Sequence, residues 1–265
     1  MSNQSAAFIV ASEAYRLKTI PIRQDALCIV LAGTKTIHLP DGKAVSIKPH
    51  QCILLARNTQ WDITNHPNQQ GKYEAIFVNF DEALVNEFQQ VPSINHAKKV
   101  KLLQKLHGTD ELLDTAKRIL QTKKRDSVSP ALLRHRLFEL LLLIAQAGHR
   151  FAAIEKSNWI NSIHQLVTSA PSQDWSAPTL AKALNLSESS LRRRLKENHT
   201  SIALTVRDIR LEHALYLLQT TRLKISEVAH ACGWNSHSQF SGAFLKRWGT
   251  VLQPSAPTWQ KIDKN

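Results

Sequence analysis

The sequence predicts an α+β chain in two parts, a strand-rich front and an all-helical back. Three observations predict it. Over residues 7–80, short apolar or alternating runs are separated by turn signals roughly every ten residues, without helical periodicity. From Asp81 onward the leucines fall three and four apart. From Trp159 the pattern is helical throughout and contains two blocks that each read as a short helix, a tight turn and a second helix.

The front elements follow in order. Ala26–Ala32 is an apolar run that ends at Gly33, and Lys35–Leu39 alternates, with Ile37 and Leu39 on one face. The turn Pro40-Asp41-Gly42 joins it to Ala44–Ile47, because Asp-Gly suits a tight hairpin. Gln51–Ala56, Trp61–Thr64 and Tyr73–Phe80 complete a small antiparallel barrel or sandwich. A short helix over 81–90 precedes a loop with Pro92. Leu102, Leu103 and Leu106 predict a helix over 97–106, and Leu112, Leu113, Ala116, Ile119 and Leu120 predict another over 109–124. Ser129-Pro130 starts a leucine-rich helix that stops at Gly148 and is apolar on most sides, so it is expected to be buried within the fold or between two chains. The domains read as 1–80, 81–150 and 151–265.

The chain has 265 residues, 34 Lys and Arg against 21 Asp and Glu, and a formal charge of +13. Residues 1–97 hold eight of each sign, so the excess lies entirely after them. A neutral front and a basic back read as two jobs, with a polyanion as partner for the second, nucleic acid before anionic membrane. Met1–Ser12 has no basic residue ahead of its apolar run, as a signal peptide would, and Leu137–Ala147 is interrupted by Glu139 and short of the ~20 residues a bilayer needs. Cys28, Cys52 and Cys232 are odd in number and widely spaced, which reads as reduced thiols in a cytoplasm.

The first block runs from Pro178 to Lys196. Leu180, Ala181 and Leu184 face inward, Asn185 tolerates the left-handed turn, Leu186 plugs it and Ser187 caps the next helix. Leu191 and Leu195 then point inward, which leaves Ser189, Arg192, Arg193 and Lys196 outside. Arginine forks onto guanine O6 and N7, and Arg or Lys neutralises phosphate. The second block runs from Ile225 to Gly249. Gly233 supplies the turn, Trp234 fills the space behind it, Ser236 caps, and Phe240, Phe244 and Trp248 anchor the helix. His237, Ser238, Gln239 and Ser241 face outward, with Lys246 and Arg247 near the end. The helical run 202–220 between the blocks is ~27 Å long at ~1.5 Å per residue. With the helix widths added, the two readers lie about one DNA turn, ~34 Å, apart.

On these residues, from Leu180-Ala181 and Ser187–Lys196 through Arg210-Leu211 to Ile225–Gly249, the last hundred residues resemble the DNA-binding module of the AraC/XylS family of bacterial transcription regulators. Leu-Arg-Arg-Arg-Leu in the first reader, with Trp159-Ile160 and Trp175 ahead of it, most resembles the branch that controls virulence and acid-stress genes. The resemblance implies an N-terminal cupin-like antiparallel β-barrel, dimerisation helices and an all-α domain with two helix-turn-helix motifs. It also implies duplex DNA, RNA polymerase and a second copy of the chain as partners, and activation as the commoner mode. The chain departs from the pattern in three places. Gly242 stands where arginine is common, His199 where glycine usually follows the first reader, and the segment from Gly249 to Pro254 is two residues longer than the usual Gly-x-x-Pro, with Trp259-Gln260 in place of the usual aromatic-Arg ending.

His38, His50 and His66 lack metal-ligand spacing, and no phosphate loop or nucleophile elbow occurs, so the chain is expected to be no enzyme and to need no cofactor or metal. The barrel is expected to sense either a small molecule, such as a fatty or organic acid, or a partner protein. Lys18, Arg23 and Arg57 are its candidate contacts to a carboxylate.

Overall fold

Two antiparallel sheets face each other in the front part of a computed structural model, which describes residues 5–124, 129–154 and 159–250. The strands are β1 (Ala6–Ala11), β2 (Tyr15–Ile22), β3 (Asp25–Ala32), β4 (Thr34–His38), β5 (Ala44–Ile47), β6 (Gln51–Leu55), β7 (Thr59–His66), β8 (Tyr73–Phe80), β9 (Lys98–Lys99), β10 (Leu103–His107) and β11 (His149–Arg150). One sheet has the order β1-β8-β3-β6-β10 and the other β2-β7-β4-β5, while β9 and β11 form a separate parallel pair. The sheets do not join into one hydrogen-bonded closed barrel among the described residues, so the cupin-like unit is a sandwich.

The long apolar run of β3 has a direct explanation. Residues 25–30 are all buried, and alternate side chains serve two cores. Cys28 and Val30 pack between the sheets with Ile37, Ile47, Ile53, Trp61 and Ile63. Leu27 and Ile29 face the other way, where α1 (Glu82–Phe88), α2 (Asp110–Lys124) and α3 (Pro130–Gln146) cover the larger sheet with Leu84, Phe88, Ile119, Leu140 and Ile144. Asp81 caps α1, and Ser129 caps α3 with Pro130 in its first turn. Gly148 stops α3 at φ 84°. The hairpin at Asp41-Gly42 is closed by Gly42 N–H donating to Leu39 O at 3.1 Å.

Two expectations fail here. Residues 97–106 are not a helix: Lys98–Lys99 and Leu103–His107 are strands, and β10 pairs with the edge of β6 in the register Leu106 to Cys52. The leucine spacing fits a helix, but the open edge of β6 satisfies the backbone of 103–107 and buries Leu106, and that long-range pairing wins. The last boundary also moves. Residues 151–154 belong to the front unit, where Phe151 is buried against Phe80 with ring centroids 5.6 Å apart, and the back unit begins at Trp159 among the described residues.

The back unit holds α4 (Trp159–Ser169), α5 (Ala177–Ala183), α6 (Glu188–Glu197), α7 (Ile202–Thr220), α8 (Ile225–Ala231) and α9 (His237–Trp248). Ile163, Val167, Trp175, Leu180, Leu191, Leu195, Val206 and Ile209 form the core that joins α4–α6 to α7. No helix among the described residues is long and apolar enough to cross a membrane.

Candidate functional site

Both helix-turn-helix motifs of the back unit use the same backbone device. Asn185 sits at φ 53° and Gly233 at φ 76°, each just past the end of a short helix. In the first motif Leu186 N–H donates to Ala181 O at 2.9 Å; in the second Trp234 N–H donates to Ala229 O at 3.0 Å. This six-to-one bond is the Schellman stop. Gly233 is also required sterically, because a Cβ there would lie 2.9 Å from Ser172 Cα. Ser187 and Ser236 then cap the second helices of the two motifs, α6 and α9, bonding Ser190 N–H and Gln239 N–H.

On α6, Leu191 and Leu195 are buried, and Ser189, Arg192, Arg193 and Lys196 are exposed. Arg192 lies 3.8 Å from Glu188 in an open, solvent-exposed i,i+4 pair, which holds it only weakly. Arg194, the third arginine of the run, turns back to the Trp159 ring at 6.0 Å. On α9, Phe240, Phe244 and Trp248 form an aromatic ladder with centroids 5.6 and 6.4 Å apart. His237, Ser238, Gln239 and Lys246 are exposed and Ser241 is half-buried. Arg247 lies over the Trp248 ring at 4.0 Å and is half-buried, so it is the least available of the residues named from the sequence. The segment before Pro254 lies outside the described residues.

The front unit contains a polar row that sequence reasoning missed. Tyr15, Asn65 and Lys35 are cross-strand partners on β2, β7 and β4. Lys35 Nζ donates to Asn65 Oδ1 at 2.7 Å, and Asn65 Nδ2 donates to the Tyr15 hydroxyl at 2.7 Å. Lys35 is only 5% exposed, lies 5.5 Å from the Tyr73 ring centroid and has no carboxylate in ion-pair contact among the described residues. The Tyr73 hydroxyl is buried and makes no hydrogen bond. Burial pulls the Lys35 amine below its usual range and pushes the Tyr73 phenol well above its own. The signal was available in the sequence: Lys35 has the same strand parity as Ile37, so the alternation already turned it inward.

The three cations named for a carboxylate sit elsewhere. Lys18 is exposed on β2, and Arg23 is half-buried after it. Arg57 is committed to other work. It pairs with buried Asp25, and its guanidinium donates to Ala152 O at 3.1 Å and to Ala153 O at 2.8 Å. Burial raises the Asp25 carboxyl above its usual range, against the pull of the Arg57 backbone N–H and guanidinium. Asn86 completes this clasp by exchanging two hydrogen bonds with Ile154, at 3.2 and 2.8 Å. His38 donates to or accepts from Thr64 Oγ1 at 2.8 Å, and no cluster of metal-ligating side chains occurs among the described residues.

Two known domain families match the chain: one described as a helix-turn-helix domain over residues 180–253, and one as the ExsA N-terminal regulatory domain over residues 25–154. The chain is 30% identical over 156 residues to the urease operon transcriptional activator of Escherichia coli, which is 56% of this chain and 51% of that protein. It therefore spans about half the length of that relative. It is 21% identical over 214 residues to the transcriptional activator PerA of Escherichia coli O127:H6, 78% of this chain and 75% of that one. Its fold is similar to a crystal structure of ToxT from Vibrio cholerae with an unsaturated fatty acid bound, with a TM-score of 0.61 at 15% identity over 95% of this chain and 96% of that one.

Proposed function

We propose that the chain is a sequence-specific DNA-binding activator of the AraC/XylS type, governed by its front unit. One observation carries the reading: two motifs with the same bonded turn and serine cap each present a polar, exposed helix face, and α7 joins them with 19 residues, ~28 Å of rigid helix. Ser189, Arg192, Arg193 and Lys196 read the first half-site; His237, Ser238, Gln239 and Ser241 read the second, with Lys246 on phosphate. The activating sense is supported by two relatives that are named as activators. It implies contact with RNA polymerase in the cytoplasm, at virulence or stress genes as the branch resemblance indicates. Mapping of bound sites across the genome, with and without deletion of the gene, tests this. Bound promoters whose output falls on deletion support it, and an absence of bound sites contradicts it.

The effector is an apolar molecule with a carboxylate, held by Lys35, Tyr15 and Tyr73. A buried cation without a counter-charge and a buried hydroxyl without a partner are both costly, and a carboxylate satisfies both. The similar fold of ToxT binds an unsaturated fatty acid, which supports the class. Titration of the full chain with long-chain fatty acids is expected to raise its melting temperature, and Lys35→Met is expected to abolish the rise. If no acid stabilises the wild type, a partner protein takes the effector's place.

The chain self-associates through α2 and α3. Leu132 is 42% exposed, and Leu133, Phe138, Leu142 and Leu143 are only partly covered, an apolar surface on α3 that a second copy of the chain would cover. Sedimentation of the full chain at tens of micromolar tests it; a monomer contradicts it.

A further inference from the structure

We propose that Gly242 sets how closely the second reading helix approaches DNA, so that α9 is read at contact distance where α6 reaches out with a long cation. The inference rests on the DNA-binding reading above. Counted from the serine caps, Gly242 stands sixth after Ser236, the place that Arg193 holds after Ser187. It lies in the middle of α9, outside the left-handed region that glycine alone favours. A Cβ there would meet nothing within 4 Å. Neither a turn nor the packing of the chain itself therefore calls for glycine, which weakens a helix relative to alanine.

The space above Gly242 lies outside the molecule. Its neighbours one turn away, Ser238, Gln239, Leu245 and Lys246, are all exposed, while Phe240, Phe244 and Trp248 hold the opposite face in the core. What the missing side chain admits is a partner surface, and glycine's use in such a place is close approach of backbone to a ligand. The short side chain of Ser238 reaches a base edge only if the helix lies deep in the groove, and a bare backbone at 242 permits that depth. Lys246, one turn further on, then meets a phosphate at the groove's edge.

The test compares the full wild-type chain with Gly242→Ala and Gly242→Leu on duplexes that the wild type selects from a randomised pool. Both variants are expected to melt higher, because both residues favour helix more than glycine does. Both are expected to bind more weakly, about tenfold for alanine, on the scale of one lost close contact, and more for leucine. Stabler variants that bind as tightly as wild type would overturn the inference while leaving the DNA-binding reading intact. A wild-type chain that selects no duplex at low salt would overturn that reading and this inference together.

Discussion

The two units put their cations to opposite uses. In the front unit Lys35 points into an apolar core and Arg57 into a clasp on residues 152–153. In the back unit Arg192, Arg193 and Lys196 point out from a helix whose other face is anchored by Leu191 and Leu195. A buried cation is a demand for a counter-charge from within, so it suits a small anion that enters the fold. An exposed row of cations on a rigid helix is a demand from outside, so it suits a polyanion larger than the protein. The same residue types suit sensing in one unit and reading in the other under the proposed function, and what decides is which side of the element the periodicity turns them to.

The comparison breaks most visibly if the anchors of the outward face are removed. Phe244→Ala leaves a cavity in the aromatic ladder and is expected to cost about 3–5 kcal/mol in a denaturant melt of the back unit, with DNA binding lost as the unit unfolds. A loss under about 1 kcal/mol would mean that the ladder does not hold α9. Next in size, Arg192→Ala and Arg193→Ala are each expected to cost about 1–3 kcal/mol of binding and to relax the preference at one base position. Sites selected by each variant check this, and a motif unchanged from wild type contradicts base reading by these residues.

Lys35→Met has the opposite sign. Replacing a buried amine with an apolar side chain of similar length is expected to stabilise the unliganded front unit by about 1 kcal/mol while the response to fatty acids disappears. The pH dependence follows from the depressed amine. Below lysine's ordinary 10.5 the unfolded chain holds a proton that the folded chain holds less tightly, so stability rises with pH up to that value and the variant lacks this component. Melting the two proteins across the alkaline range measures the difference, and equal slopes contradict a buried Lys35. The smallest effect belongs to Lys246→Ala. It is expected to weaken all sequences about equally and to lower the salt slope of binding by about one, as loss of a phosphate contact does.

The back unit was largely legible because its signals are local. Asn185, Gly233, Ser187 and Ser236 each do one job set by their own backbone, and the anchors Leu191, Leu195, Phe240 and Phe244 repeat at helical spacing. The front unit hid its decisive features in long-range pairing. Leu102, Leu103 and Leu106 suit a helix until the edge of β6 is available, and nothing near them in sequence announces that edge. Arg57 reads as a free loop cation until Asp25 and the carbonyls of Ala152 and Ala153 close around it, the carbonyls from about a hundred positions away. Lys35 was legible by parity with Ile37, but its partners Asn65 and Tyr15 come from other strands, and only the register of β2, β7 and β4 puts the three in one row.

The central claim is that one chain reads DNA with two helices held a helical turn apart. Selection of randomised duplexes by the full-length protein, repeated at rising salt, tests it most directly. The account predicts an enriched motif of two half-sites about 10 bp apart, with a guanine-bearing half for α6 and affinity that falls steeply with salt. A single half-site, or no enriched sequence at low salt, would contradict it.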